Sequence, residues 1–397
     1  MERAQTNMAI RSVFAVGFLV VLALFGGLFI PGLEIRSLRK QSAFAKAFPA
    51  KSAFVELNGA YSRMAGRRLC NGTFRNGQGL MLTGCSFHDV RGIAASAVGF
   101  SEWLKGLGAR YLYVQAPAKA DRNGTLHPQV MEHHGNEMAD AFLAEMMRCG
   151  VPTLDLREAL AETPEDVLRN FYRTDHHWNN DAVFQAFGMV AGRLAEMTSS
   201  DVAAVQALTD RASWEREVWP HCLWGSRGRR TGRLFSGVDD LIVYTPRFET
   251  QMSLEVPSKS LGRIGSFRET NMWRAQDIRK AGRLEKDAYS YLYVGGLYPM
   301  VRHHNAAAPV QAKVMIIGDS FARPLEALLS TVVSDLVVVD PRRFAKGEKV
   351  SDHVLRQRPE IVLQLINTGG FFSDFIGRKA SGRPVMFDYG IPTAEAK

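Results

Sequence analysis

Two segments of this 397-residue chain hold residue types that together perform acyl chemistry. In Thr174-Asp175-His176-His177-Trp178 a carboxylate stands two residues ahead of an imidazole. Side chains two apart on an extended backbone point the same way, so Asp175 and His177 are expected to face one site and His176 another. Far downstream, the apolar run Val314-Met315-Ile316-Ile317 leads through Gly318-Asp319 to Ser320, which reads as a buried strand delivering a serine into a sharp turn. Asp175, by accepting a hydrogen bond from one nitrogen of His177, would fix the tautomer and leave the other nitrogen to take a proton from Ser320. Such a set belongs to a serine hydrolase or acyltransferase.

Neighbouring residues supply candidate supporting parts. Pro324 fits the first turn of a helix after Ser320, and that turn would aim main-chain N–H groups at a developing oxyanion. Asp319 is expected to brace the turn. Asn367 follows the apolar run Ile361 to Ile366 and precedes Gly369-Gly370; it is a candidate oxyanion donor and equally an Asn in a glycine-rich turn. Lys119 and Arg323 are candidate contacts for an acidic glycan, with solvated cations as the plainer reading. Gly318 to Ala322 also has the outline of a nucleophile elbow, but its acid and histidine should then follow the serine, and only Asp352-His353 does so. The pairs His133-His134, His176-His177 and His303-His304 raise the question of a metal. Adjacent histidines diverge on extended backbone and no H-E-x-x-H occurs, so neither metal nor other cofactor is expected.

The order Asp175-His176-His177-Trp178, then an apolar strand and Gly318-Asp319-Ser320-Phe321, resembles the DHHW family and alginate O-acetyltransferase-like proteins with an SGNH-hydrolase-like domain. Weaker matches at Phe48-Pro49 to Gly66, Ala116 to Lys119, Gly232 to Phe235, Asp239 to Leu241 and Val339 to Arg343 extend the likeness over most of the chain. The resemblance implies transfer of acetyl to, or its removal from, a cell-surface polysaccharide through an acetyl-serine. It also implies a multi-spanning membrane O-acyltransferase as acetyl donor and a catalytic domain outside the cytoplasm. A non-catalytic polysaccharide-binding or assembly protein with a vestigial triad is the alternative.

The elements that must hold these residues alternate. Strand signals at Tyr111 to Val114, Pro152 to Leu156, Val314 to Ile317, Leu336 to Val339 and Ile361 to Ile366 interleave with helical spacing at Asn136 to Arg148 and at Val183, Phe184, Phe187, Val190 and Leu194. Asn180 is expected to cap the latter helix. Alternation of this kind predicts an α/β, three-layer domain with a central parallel sheet. Residues 200 to 310 break the rhythm and read as an irregular insertion. The expected organisation is a membrane anchor over 1–33, a helical stalk over 34–66 and the SGNH-like domain over 67–397.

Ser12 to Ile30 carries no charge and is about long enough to cross a bilayer, which predicts an uncleaved single-pass anchor. Arg3 and Arg11 lie before it and Arg36, Arg39 and Lys40 after it, a bias toward a cytoplasmic domain. Long domains translocate largely regardless of that bias, and the resemblance implies the outside. The net charge of +9 suits an anionic partner, yet no nucleic-acid-binding signature accompanies it, and the arginines at 227, 229, 230 and 233 equally describe a solvated loop. The four cysteines show no zinc spacing; Cys70 with Cys85 would suit a disulfide in an exported domain, and four buried thiols fit as well.

Overall fold

The computed structural model describes residues 51–281, 287–371 and 384–392. Two compact units divide between Val55 and Glu56, and the boundary falls inside helix α1 (Lys51–Met64). Ser12 to Ile30 and most of the expected stalk lie outside the described residues. Among those described, no helix is long and apolar enough to cross a membrane.

The larger unit begins with an antiparallel ribbon, β1 (Leu69–Cys70), β2 (Thr73–Arg75) and β3 (Met81–Leu82). Strands and helices then alternate: α2 (Arg91–Gly106), β4 (Arg110–Gln115), α3 (Gly135–Arg148), β5 (Thr153–Asp155) and α4 (Asn180–Thr198). A separate antiparallel pair follows, β6 (Trp214–Leu223) and β7 (Asp239–Pro246), with the short helix α5 (Ser226–Thr231) between them. After β8 (Met252–Val256), β9 (Leu261–Gly265) and β10 (Met300–His304), the alternation resumes with β11 (Val310–Gly318), α6 (Ala322–Leu329), β12 (Val333–Val339), α7 (Val350–Gln357) and β13 (Ile361–Ile366).

The principal sheet has eight strands in the order β5-β4-β13-β11-β12-β10-β8-β9. Its first five strands are parallel, and β10, β8 and β9 extend it antiparallel. Apolar runs at β11, β12 and β13 are buried on both faces, as central parallel strands must be when helices cover both sides. Val314, Ile316, Leu336, Val338, Leu363 and Leu365 join one core with residues of α4 and α6. Met315, Ile317, Val337, Val339, Val362 and Ile366 join the other with α2, α3 and α7. This alternation by twos makes the three layers.

One expectation needs correction, and of the two readings of the cysteines the structure has the thiols. The sheet is mixed rather than parallel throughout, because Met252–Gly265 and Met300–His304, read as part of an irregular insertion, pair onto its edge. The cysteines are free thiols: Cys70 packs with Met81 and Phe235, while Cys85 forms an isolated bridge with His133.

Candidate active site

Ser320 comes two residues after the end, at Gly318, of β11, an inner parallel strand between β13 and β12. A Cβ on Gly318 would stand 2.5 Å from that of Ala322, so only glycine allows the chain to turn this tightly into α6. Asp319 accepts the Phe321 N–H at 2.8 Å and holds the turn; burial raises its pKa, opposed by Arg342. Pro324 lies in the first turn of α6 as expected, where an N–H would have no partner within the helix.

The Asp175 loop is closed at its base by an isolated bridge between Phe171 and Trp178, and Asn179, not Asn180, caps α4 by accepting from Asp181 and Ala182. Asn180 instead donates to Ile242 at 2.6 Å. The insertion grips the loop from outside. Asp239 accepts from the Arg173 N–H at 3.0 Å and from the N–H and hydroxyl of Thr174 at 2.7 and 2.6 Å. The Gly225 N–H donates to Thr174 Oγ1 at 2.9 Å, and the Ser226 N–H donates to Asp175 Oδ2 at 2.5 Å. From inside, the Lys119 ammonium donates to the carbonyls of Tyr172, Arg173 and Asp175 at 2.6, 2.8 and 2.7 Å. Three such bonds use all three protons of the charged form, although burial pulls the Lys119 pKa well down.

Held in this way, Asp175 Oδ1 lies 2.5 Å from His177 Nδ1, and His177 Nε2 lies 2.8 Å from Ser320 Oγ. Burial by itself would raise the Asp175 pKa, but the imidazoles of His176 and His177 and the bonds from His177 and the Ser226 N–H hold it well below the usual carboxylate range. An ionised Asp175 only accepts, so the proton sits on His177 Nδ1 and the Nε2 lone pair faces the serine hydroxyl. The imidazole stacks on Tyr289, with ring centres 4.1 Å apart, and Tyr289 Oη accepts from Trp178 Nε1 at 2.9 Å.

His176 departs from the sequence expectation. The loop bends at each residue from Arg173 to His177, so the two-residue alternation of an extended strand does not apply. Its ring centre lies 3.8 Å from that of His177, and its Nδ1 is 2.7 Å from Ser226 Oγ and 3.3 Å from Asp175 Oδ1. Burial and the neighbouring His177 push its pKa well down, opposed by Asp175. Although Asp175, His176 and His177 have the composition of a metal site, their facing atoms are bonded to one another and to Ser226.

A cavity of about 360 Å³ opens beside this line, walled among others by His133, His176, Ser226, Arg227, Phe321 and Asn367. Asn367 therefore reaches the site. Its Oδ1 accepts the Gly369 N–H at 2.5 Å, which leaves Nδ2 as its donor atom. Among the described residues neither that Nδ2 nor the Ser320 N–H has an acceptor. Arg227 donates to Met81 O and Thr83 Oγ1, and burial lowers its pKa to about 10, so it is a wall residue rather than part of a solvated basic loop.

Other expectations separate. Lys119 stands in the wall, but its charge is turned to the three carbonyls. Arg323 is buried, paired with Glu326 at 2.9 and 3.0 Å and donating to Tyr298 O at 2.8 Å, which leaves it no role at a glycan surface. His353, on α7, lies 2.8 Å from Glu348. Sequence reasoning missed Gly225, Ser226, Asp239 and Tyr289. Of these only Asp239 fell in a matched segment, and nothing local marks any of them.

Comparisons with known proteins agree with this architecture. Residues 82–218 match the family model described as SGNH hydrolase-like domain, acetyltransferase AlgX; the match takes in Asp175 and His177 and ends before Ser320. The structure resembles that of Bacillus cereus PatB1 at a TM-score of 0.61 and 17% identity, over 80% of this chain and 99% of that one. A PatB1 structure with a sulfonyl adduct gives 0.58 at 16% identity, over 80% and 99%. A DHHW family protein from Eubacterium siraeum gives 0.56 at 15%, over 79% and 95%. At these identities the structural likeness speaks for the fold. No curated protein matches the chain by sequence. The resemblance read from the sequence is thus met by a family model that takes in Asp175-His176-His177-Trp178 and by a fold shared with a DHHW protein.

Proposed function

We propose that this chain transfers acetyl groups through Ser320 in two displacements. In the first, Ser320 Oγ attacks the carbonyl carbon of an acetyl ester while His177 Nε2 takes its proton. The Ser320 N–H and Asn367 Nδ2 are the donors proposed to meet the oxyanion. Collapse of the tetrahedral species breaks the ester bond, and His177 returns the proton to the leaving oxygen. In the second, an acceptor hydroxyl gives its proton to His177 and attacks the acetyl carbon; the bond to Ser320 Oγ breaks, His177 returns the proton to that oxygen, and the acceptor leaves with the acetyl group. Asp175 orients the imidazole and stabilises its charged form throughout.

The observation that carries this reading is the continuous line from Asp175 through His177 to Ser320, with 2.5 and 2.8 Å contacts. The acetyltransferase family model over residues 82–218 supports acetyl as the group moved. By the same resemblance the acceptor is a hydroxyl of a cell-surface polysaccharide, the donor a multi-spanning membrane O-acyltransferase, and the chain a single-pass membrane protein with this domain outside the cytoplasm. Incubation with a chromogenic acetyl ester, with and without a xylo- or manno-oligosaccharide, tests the reaction. Acetylated oligosaccharide identifies a transferase, ester hydrolysis without it identifies an esterase, and absence of both contradicts the proposal in favour of a binding protein.

A further inference from the structure

Helix α1 carries a surface that acetyl transfer does not use. From Glu56 onward it packs by a face of small and paired residues. A Cβ on Gly59 would reach within 2.1 Å of Thr231 O, Ser62 is buried, and Glu56 accepts the Arg233 N–H at 2.8 and 3.0 Å. The opposite stripe, Leu57, Tyr61 and Met64, is 66%, 55% and 82% exposed. Residues spaced by three and four share a helix face, so these three form one apolar strip.

Positive charge gathers at the end of this strip. Arg63, Arg67, Arg68 and Arg75 border one cavity of about 260 Å³. Among the described residues none of the four forms an ion pair with a carboxylate, and the Arg75 pKa is lowered by burial and by the like charges of Arg63 and Arg173. The Arg67 guanidinium lies over the Tyr61 ring, 5.1 Å from its centre, and so joins the cationic cluster to the apolar strip. Four unneutralised guanidinium groups around a cavity call for an anion with several acceptor oxygens.

We infer that this surface docks on an anionic phospholipid bilayer, with Leu57, Tyr61 and Met64 at the acyl boundary and the arginine cavity on lipid phosphates. An exposed apolar strip flanked by arginines is the composition of a helix lying in a membrane interface. In the sequence the uncharged run Ser12 to Ile30 precedes α1 by twenty residues. The domain would then present one fixed face to the bilayer.

The test uses the full chain in vesicles whose acyl chains are brominated, with tryptophan introduced by Leu57→Trp or Met64→Trp and wild type as background. In vesicles of mixed phosphatidylcholine and phosphatidylglycerol, about half or more of the added emission should be quenched. It should recover when Arg63, Arg67 and Arg68 are changed to Glu, in a variant whose thermal unfolding is unchanged. Vesicles of phosphatidylcholine alone, with inorganic phosphate in the buffer, should leave the added emission unquenched. Equal quenching in both lipids, or none in either, overturns the inference. So does protection of the arginine cavity from arginine-modifying reagent by inorganic phosphate but not by the anionic vesicles, which would make it a soluble-anion site.

Discussion

Replacing Gly225 with alanine adds a single methyl group outside the proposed reacting line and should nevertheless disable it. The new Cβ would stand 2.4 Å from Asp175 Cβ and 2.5 Å from its Cα and main-chain nitrogen, so rotating the carboxylate gives no relief. Ordinary contact requires about 1 Å more, which must come from moving the Asp175 loop or the start of α5. Either shift breaks a geometry in which Asp175 bonds both His177 Nδ1 and the Ser226 N–H at 2.5 Å. A misplacement of that size costs about 10²-fold in turnover. Overpacking should cost a further 1–3 kcal/mol of stability, roughly, without unfolding the domain. The assay is steady-state hydrolysis of a chromogenic acetyl ester beside urea unfolding, with Asp175→Asn as the reference for loss of the orienting acid. A folded Gly225→Ala protein within about threefold of wild-type kcat would refute the claim that the insertion sets the Asp175 position.

His176→Ala should fall between wild type and His177→Ala, the latter losing about 10²–10⁴-fold, because the His176 ring packs on His177 and bonds Ser226; turnover equal to wild type would restore the view that His176 faces elsewhere. Asn367→Ala should lower kcat about 10²–10³-fold with little change in KM, and a change confined to KM would remove Asn367 from the oxyanion site. Stability should fall on acidification: burial lowers His127 to about 4 and His133 to about 3, so below about pH 6.5 the unfolded chain takes up protons that the fold refuses. Urea unfolding at pH 7 and pH 5 should differ by about 2 kcal/mol for each of these histidines, and His133→Gln should reduce the difference by about 2 kcal/mol. An unchanged pH dependence in that variant would contradict the assignment.

The sequence revealed what depends on neighbours in the chain. Three apolar runs became β11, β12 and β13 because burial on both sheet faces leaves no polar alternation to confuse them. That Asp175, His177 and Ser320 lie together was legible because they stand in short segments, one at a helix entrance and one at a strand end. Contacts across long separations were hidden. Nothing near Asp239 tells that its carboxylate holds Thr174, and nothing near Tyr289 tells that its ring lies on His177. Arg323 looked like a surface cation, since a buried arginine differs from an exposed one only by its partner, here Glu326. His176 was misplaced because the strand alternation was applied to a loop that bends. The antiparallel edge was missed because β8, β9 and β10 are short and separated by turns, so no helix–strand rhythm marks them as part of the sheet.

The central claim is that Ser320 carries the acetyl group, and the most direct measurement is mass analysis of the protein quenched during turnover of an acetyl ester. The account predicts a gain of one acetyl group, located by peptide mapping at Ser320, absent in Ser320→Ala and slow to form in His177→Ala. It also predicts that the label leaves when an oligosaccharide acceptor is added. An acetyl group on any other residue, or undiminished turnover by a folded Ser320→Ala protein, would contradict it.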